Sequence, residues 1–348
     1  MDALGPYRSI LLLGGGELLR DICIWAVANS YEVRVVTSPR HATELHDGVT
    51  LAGFLESQGI AHIIAENISA PETISFIGNL DETFSLSLGA AWIFKQSLLE
   101  TTFKNKLMNL HGRRLPQNRG GGGFSWQILT GFRFGFCVLH VVDSGVDTGD
   151  IILTEEFLYP ASCRTPQDYQ RFYIQRNFVF LTEFLKETRT SQRNVKPIVQ
   201  PEYFSTYWPR LSTAVNSWID WSWDAHELDR FICAFDDPYS GAQTFCSLSR
   251  QPRMARLKSV SLNPEDGSFH SYQAGLIYRK SKGWLCVAAK GAGLIVESIR
   301  DENDADLFSE IKVGDRLFTS SEMLASGRQR VSYAPGGMVA IKTPPLSL

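Results

Sequence analysis

The first two hundred residues alternate short apolar runs with stretches of helical apolar spacing, and few architectures accept that rhythm. Ser9 to Leu13 reads as a strand. Glu17 to Asn29 reads as a helix, with Leu18, Ile22, Trp25 and Ala26 along one stripe. Glu32 to Val36, Ala61 to Ala65, Phe84 to Leu88 and Lys106 to Leu110 read as further strands, with helices over Leu51 to Gln58 and near Lys95 to Leu99. Continuous apolar strands separated by helices predict an α/β fold with a doubly wound, mostly parallel sheet. Ligands of such sheets bind beyond the carboxyl ends of the strands.

The rhythm continues through a helix over Phe124 to Thr130, strands over Gly135 to Val142 and Ile151 to Phe157, and a long helix from Thr165 to Glu187 with Pro166 near its first position. It changes near Asn216. A helix over Ala225 to Phe235, N-capped by Asp224, is followed by five short alternating segments separated by turn residues such as Asn263-Pro264 and Asp266-Gly267. That pattern predicts a small β-barrel. A chain of 348 residues also exceeds what one core usually holds. We therefore expect a catalytic domain over 1–205, a connector over 206–217, a barrel-like domain over 218–335 and a tail over 336–348.

Composition excludes several function classes. With 44% hydrophobic and 20% charged residues, the chain is not a disordered tail protein. A net charge of −3 gives no global field that would gather nucleic acid or an anionic membrane. No stretch reaches the roughly 18 to 20 apolar residues of a membrane span. The N-terminus lacks a basic segment ahead of a long apolar run, so a cytoplasmic protein is expected. The six cysteines (Cys23, Cys137, Cys163, Cys233, Cys246, Cys286) form no metal-ligand spacing and read as reduced thiols.

Three segments carry chemistry. Gly14, Gly15 and Gly16 follow a strand and open a helix, but the position for a third fingerprint glycine is Leu19. A tight turn is the plainer reading, and a ligand contact at Gly15 is the alternative. Asn109 and His111 stand two apart at a strand end, so their side chains share one face. An amide beside an imidazole suits acyl chemistry, the amide donating to a developing oxyanion and the imidazole handling a proton. The polar loop Val141 to Ile152 adds the carboxylates Asp147 and Asp150, either of which can fix the histidine tautomer.

Asn109-x-His111, Leu115-Pro116-x-x-Arg119-Gly120 and Val146-Asp147-Thr148-Gly149-Asp150-Ile151 together resemble the folate-dependent formyltransferase family. That family includes methionyl-tRNA formyltransferases and amino-sugar N-formyltransferases. Leu88 to Phe94, Ile219 to Ser222 and Pro238-Tyr239-x-Gly241-Ala242 extend the resemblance over about residues 8 to 300. It implies a Rossmann-like catalytic domain, a barrel resembling an oligonucleotide-binding fold, and transfer of a formyl group from N10-formyltetrahydrofolate to a primary amine without a metal. The implied catalytic residues are Asn109, His111 and Asp147. The pterin is implied to sit against Ala91, Trp92, Ile93 and Phe94 and against Asp143, Ser144, Gly145 and Val146. The chain departs from the family at Arg113-Arg114 after the histidine and at the extra glycines Gly121 to Gly123.

Charge bears on the amine. A tRNA acceptor requires several phosphate neutralisations. Between Ser38 and Gly59, where the family's tRNA enzymes are expected to present a basic loop, Arg40 stands against Glu44, Asp47 and Glu56. Residues 212–348 hold 15 Lys and Arg against 16 Asp and Glu. Only Arg250, Arg253, Arg256 and Lys258 cluster. These counts argue against tRNA. A nucleotide-linked amino sugar, used in surface polysaccharides such as lipopolysaccharide, needs one or two arginines. Arg113, Arg114 and the aromatic-arginine run Tyr207-Trp208-Pro209-Arg210 are candidates. Methionyl-tRNA, another small amine and a non-catalytic folate-binding homologue are the alternatives. Sugar-acting members are often dimers, which leaves a homodimer open.

Overall fold

The structure, a computed structural model, describes residues 3–121, 123–248, 251–334 and 337–339. Gly122, Arg250 and most of the 336–348 tail lie outside the described residues.

Seven strands form the first sheet: β1 (Ser9–Gly14), β2 (Glu32–Thr37), β3 (Ala61–Ile64), β4 (Thr83–Leu88), β5 (Met108–His111), β6 (Phe134–Val141) and β7 (Ile151–Leu158), in the order β7-β6-β5-β4-β1-β2-β3. The five strands from β5 to β3 run parallel, and the hairpin β6–β7 adds two antiparallel strands at one edge. The mostly parallel, doubly wound reading therefore holds.

Strand β1 is buried along its whole length because both faces are covered. Period two sends Ile10 and Leu12 to one face, packed with Leu18, Leu19 and Ile22 of helix α1 (Glu17–Ala28). It sends Leu11 and Leu13 to the other face, with Trp92, Phe94, Leu98 and Leu99. Helix α2 (Leu51–Ser57) packs Leu51, Phe54 and Leu55 into the first of these clusters. Helix α3 (Gln96–Thr101) supplies Leu98 and Leu99 to the second. Pro166 opens the long helix α5 (Pro166–Glu187), whose N-terminus Thr165 and Asp168 close with a reciprocal capping box. The helices Pro39–Ala42 and Pro71–Ile77 are too short and too weakly periodic to be announced by apolar spacing.

The second sheet is antiparallel: β8 (Ala242–Ser247), β9 (Pro252–Asn263), β10 (Ile277–Ser281), β11 (Trp284–Ala289), β12 (Ala292–Arg300) and β13 (Leu317–Phe318), in the order β10-β11-β12-β9-β8-β13. It curls until its two edges meet, where Leu317 N donates to Gly275 O and Ile277 N to Asp315 O. Helix α6 (Ala225–Ala234) covers it, started by Asp224 as expected. The same helix joins the two sheets. Ser125 Oγ of helix α4 (Gly123–Thr130) donates to Ala234 O, and Arg164 Nη2 donates to Asp229 Oδ1 and Val260 O. The stretch expected to be a plain connector is itself structured. Tyr207–Trp208 pairs in parallel with Arg119–Gly120, and Thr213–Asn216 is helical. Among the described residues no helix is long and apolar enough to cross a membrane.

Candidate active site

The carboxyl ends of β4 and β5 open onto a cleft of about 590 Å³, within the usual size of small-molecule sites. Asn109 and His111 line it from β5, and Asp147 lines it from the loop between β6 and β7. Two residues of one strand and a third from a later loop therefore converge at the edge where a parallel sheet places its ligands.

The hydrogen-bond partners settle the tautomers. His111 Nε2 lies 2.8 Å from Asn118 O, which can only accept, so Nε2 carries the proton. Nδ1 is then the basic nitrogen, and it faces Asp147 Oδ2 at 3.6 Å. His140 was not anticipated. It stands opposite Asn109 in the β5–β6 register. Its Nδ1 donates to Val141 O at 2.9 Å, which leaves Nε2 to accept from Asn109 Nδ2 at 3.0 Å. The Asn109 amide is thereby oriented, with its second N–H left for the cleft.

Asp147 sits in the left-handed region at φ 56°. Its Oδ2 accepts from Gly120 N at 2.8 Å, and its Oδ1 lies 3.6 Å from His140 Nε2. Burial pushes the Asp147 carboxyl up. The neighbouring His111, His140 and the Gly120 N–H outweigh it and hold the carboxyl well below the usual carboxylate range. Burial pulls His111 down, against the opposing pull of Asp147, so its imidazole is neutral at pH 7. The pair is thus a carboxylate beside a neutral base.

Gln200 and Gly120 fix the loop. Gln200 Nε2 donates to Asp147 O and Gly149 O at 3.0 and 2.6 Å, and its Oε1 accepts from Arg119 Nε at 3.2 Å. Gly120 has φ 91°, and a Cβ there would lie 2.5 Å from Trp208 O. Only glycine permits that close approach while presenting its N–H to Asp147.

Of the residues expected on the folate side, Trp92, Ile93, Phe94, Asp143, Gly145 and Val146 line the cleft. Ala91 and Ser144 belong to the same loops but do not line it. Trp92 is held by donation from Nε1 to Glu66 O, while Ile93 is 70% exposed. Tyr207 and Arg210 line the cleft, joined by Arg330 and Ser332, which sequence reading did not single out.

Five expectations are corrected. Arg113 is buried, and its guanidinium donates to Gly120 O and Gly121 O, so it braces the glycine run. Burial lowers it to about 10, which leaves it charged at pH 7. Arg114 is exposed and lies with Arg113 and Trp208 at a separate small pocket. Trp208 packs on Trp126 with ring centroids 4.9 Å apart. Gly15 does not line the cleft. Its N–H donates to Leu88 O and a Cβ there would meet His41 at 2.6 Å, so the tight-turn reading explains it. Asp150 likewise stays out of the cleft, and its backbone carbonyl accepts from Val141 N.

Residues 212–308 match the family model "Formyl transferase, C-terminal domain". A methionyl-tRNA formyltransferase of Acetivibrio thermocellus is 26% identical over 291 residues, covering 82% of this chain and 89% of its own. One of Clostridium perfringens is 23% identical over 240 residues, 69% of this chain and 74% of its own. The chain is thus similar to formyltransferases along most of its length, and its residues 212–308 match their C-terminal domain. Solved structures share the fold. The sugar 3N-formyltransferase WlaRD, solved with dTDP and 5-N-formyl-THF, superposes with a TM-score of 0.61 at 18% identity, over 84% of this chain and 98% of its own. An N-formyltransferase from Helicobacter canadensis, in complex with folinic acid and dTDP-3-aminofucose, gives 0.62 at 17% identity, over 84% and 99%.

Proposed function

We propose that this formyltransferase moves a formyl group from N10-formyltetrahydrofolate to the primary amine of a nucleotide-linked amino sugar. The observation that carries the reading is the convergence of Asn109, His111 and Asp147 on one cleft whose walls include residues of the 92–94 and 143–146 loops. Those walls combine apolar side chains with loop backbone, which fits a flat heteroaromatic ring with polar edges.

The folate supplies the formyl carbon when bound. The oriented Asn109 amide directs its remaining N–H at negative charge developing on the acyl oxygen. The incoming amine must lose a proton, and His111 Nδ1 with the Asp147 carboxylate forms the acceptor pair. Asn118 O fixes the His111 ring, and Gly120 N fixes the carboxylate. The cleft therefore holds both a donor for the oxyanion and a base for the amine.

The acceptor follows from charge. Arg210 and Arg330 border the cleft. In the cluster that a tRNA would need, Arg253 is paired with Glu310 and Asp301, and Lys258 with Asp237. Two positive groups at the cleft rim suit a diphosphate better than an RNA backbone. The second reading, methionyl-tRNA, is favoured by the names of the sequence relatives.

A formyl-transfer assay with a panel of nucleotide-linked amino sugars beside charged methionyl-tRNA decides between them. Turnover of a sugar at low salt dependence is expected. Transfer to charged tRNA alone, falling steeply with added salt, overturns the sugar reading.

A further inference from the structure

Two places where the sequence departs from the formyltransferase pattern, Arg113 and the glycines from Gly121 onward, meet in the structure. Arg113 Nη2 donates to Gly120 O at 3.2 Å and to Gly121 O at 2.8 Å. The turn is held from its other side as well. Gly120 N donates to Asp147 Oδ2 at 2.8 Å, and Gly121 N donates to Trp208 O at 2.9 Å. Arg113 and Asp147 therefore grip the same glycine, one by its carbonyl and the other by its N–H. A Cβ at Gly121 would lie 2.9 Å from Arg210 Cβ, so the turn also seats the 207–210 segment of the rim. Gly120 and Gly121 line the cleft, and Arg113 stands behind them on the wall of a separate small pocket.

Burying a guanidinium costs stability unless hydrogen bonds and an opposite charge compensate it. Here two carbonyls and the Asp147 carboxylate do so. An uncharged side chain would fill the space without that cost, so the charge itself needs an explanation. We propose that Arg113 is a positioning residue for the formyl transfer: its guanidinium holds the Gly120 turn that orients Asp147, and it keeps a positive charge beside the His111–Asp147 pair. The inference rests on the proposed reaction and deepens it. Among the described residues four groups act on the His111 ring. Asp147 reaches it from the β6–β7 loop and His140 from β6, while Asn118 O and Arg113 come from the loop after β5. Asp147 and Asn118 O favour a proton on the ring, and Arg113 and His140 oppose one. Without Arg113 the pull of Asp147 is opposed by less charge, and the nitrogen that must accept the amine's proton is more readily filled from solvent. The arginine thus lets a carboxylate sit against the base without charging it.

The test follows the His111 ring by NMR across pH in histidine-labelled full chain, its signals assigned with His111→Asn. Wild type, Arg113→Gln and Arg113→Lys are compared, and the pH profile of kcat/KM for formyl transfer is recorded on the same preparations. Arg113→Gln keeps a donor and loses the charge, so the His111 midpoint is expected to move up by about one pH unit. The acid limb of kcat/KM is expected to move up with it. Arg113→Lys keeps the charge and gives up the planar fork. Midpoint and limb are then expected to stay near the wild type, while kcat falls about tenfold as the turn loosens. A purely structural arginine would lower kcat/KM equally at every pH and leave the His111 midpoint in place, and that result overturns the inference. Arg113→Lys keeps it open to refutation even where Arg113→Gln does not fold: a limb displaced upward with the charge retained overturns it. A midpoint that rises in Arg113→Gln, beside a wild type that formylates none of the amines offered, faults the proposed reaction instead and leaves the action of the arginine on the pair standing.

Discussion

Asn109 Nδ2 donates to His140 Nε2 at 3.0 Å, and His140 can accept because its Nδ1 proton is committed to Val141 O. The amide that we propose faces the acyl oxygen is therefore aimed by a histidine on the neighbouring strand. Removing an oxyanion donor typically costs about a hundredfold to a thousandfold in kcat, and Asn109→Ala is expected in that range. His140→Leu keeps the amide but releases it, so kcat is expected to fall about tenfold to a hundredfold with KM for the folate unchanged. His140→Gln offers an acceptor again and is expected to recover part of the loss. Steady-state kinetics on the three variants checks the order, and equal kcat for His140→Leu and wild type sinks it.

Asp147 and His111 predict a particular pH dependence. Burial lowers the His111 imidazole, and Asp147 opposes that by favouring the charged ring. With the neutral ring as the proposed base, kcat/KM is expected to hold through pH 6.5 and to fall only on further acidification. In Asp147→Asn the opposing charge is gone. The acid limb is then expected to move to still lower pH, while kcat drops by about a hundredfold or more with the base pair broken. A pH–rate profile of both proteins reads the two effects separately. A limb that moves upward in the variant contradicts the arrangement.

Gln200 joins the Asp147 and Gly149 carbonyls to Arg119. Gln200→Leu leaves these buried groups without partners, and each such orphan costs about 1–3 kcal/mol. A loss of roughly 3 kcal/mol in unfolding free energy is expected, together with reduced kcat from a loosened Asp147. Urea denaturation measures the first effect and steady-state kinetics the second. A loss below about 1 kcal/mol would show that water substitutes for the brace.

Much of this arrangement was legible in the chain. Strands such as β1 are buried on both faces and read as apolar runs, and Thr165-Pro166 and Asp224 carry their own helix-start chemistry. Asn109 and His111 were visible because period two along one strand puts them together. His140 was not, because its role depends on β6 lying beside β5 in a register that places it opposite Asn109. Local patterns do not encode which strands become neighbours. Arg113 misled for the related reason that a charged residue after a catalytic strand looks exposed until the fold buries it against Gly120 and Gly121. Arg330 and Ser332 lie more than a hundred residues beyond Arg210, the preceding cleft residue, and only the folded chain brings them there.

The turn at Gly15 makes a last prediction, about stability. His41 is buried against Gly15, and its Nε2 lies 2.6 Å from Arg40 Nη2, which can only donate. Nδ1 therefore carries the proton of a neutral ring. Burial first, then the charges of Arg40 and Arg210, lower His41 from 6.5 to about 4. The unfolded chain protonates this histidine near pH 6.5, whereas the folded protein resists until about pH 4. The stability contribution is therefore complete above pH 6.5 and is lost progressively as the pH falls to 4. Over that window it amounts to roughly 3 kcal/mol. In His41→Gln the ring is gone, and that part of the pH dependence is expected to vanish. Urea unfolding midpoints at pH 7.5 and pH 4.5 for both proteins test this. The midpoint of the wild type should drop further than that of the variant on acidification. Parallel declines would mean that His41 is protonated in the folded state already, and the close packing at Gly15 would then have to accommodate a charge.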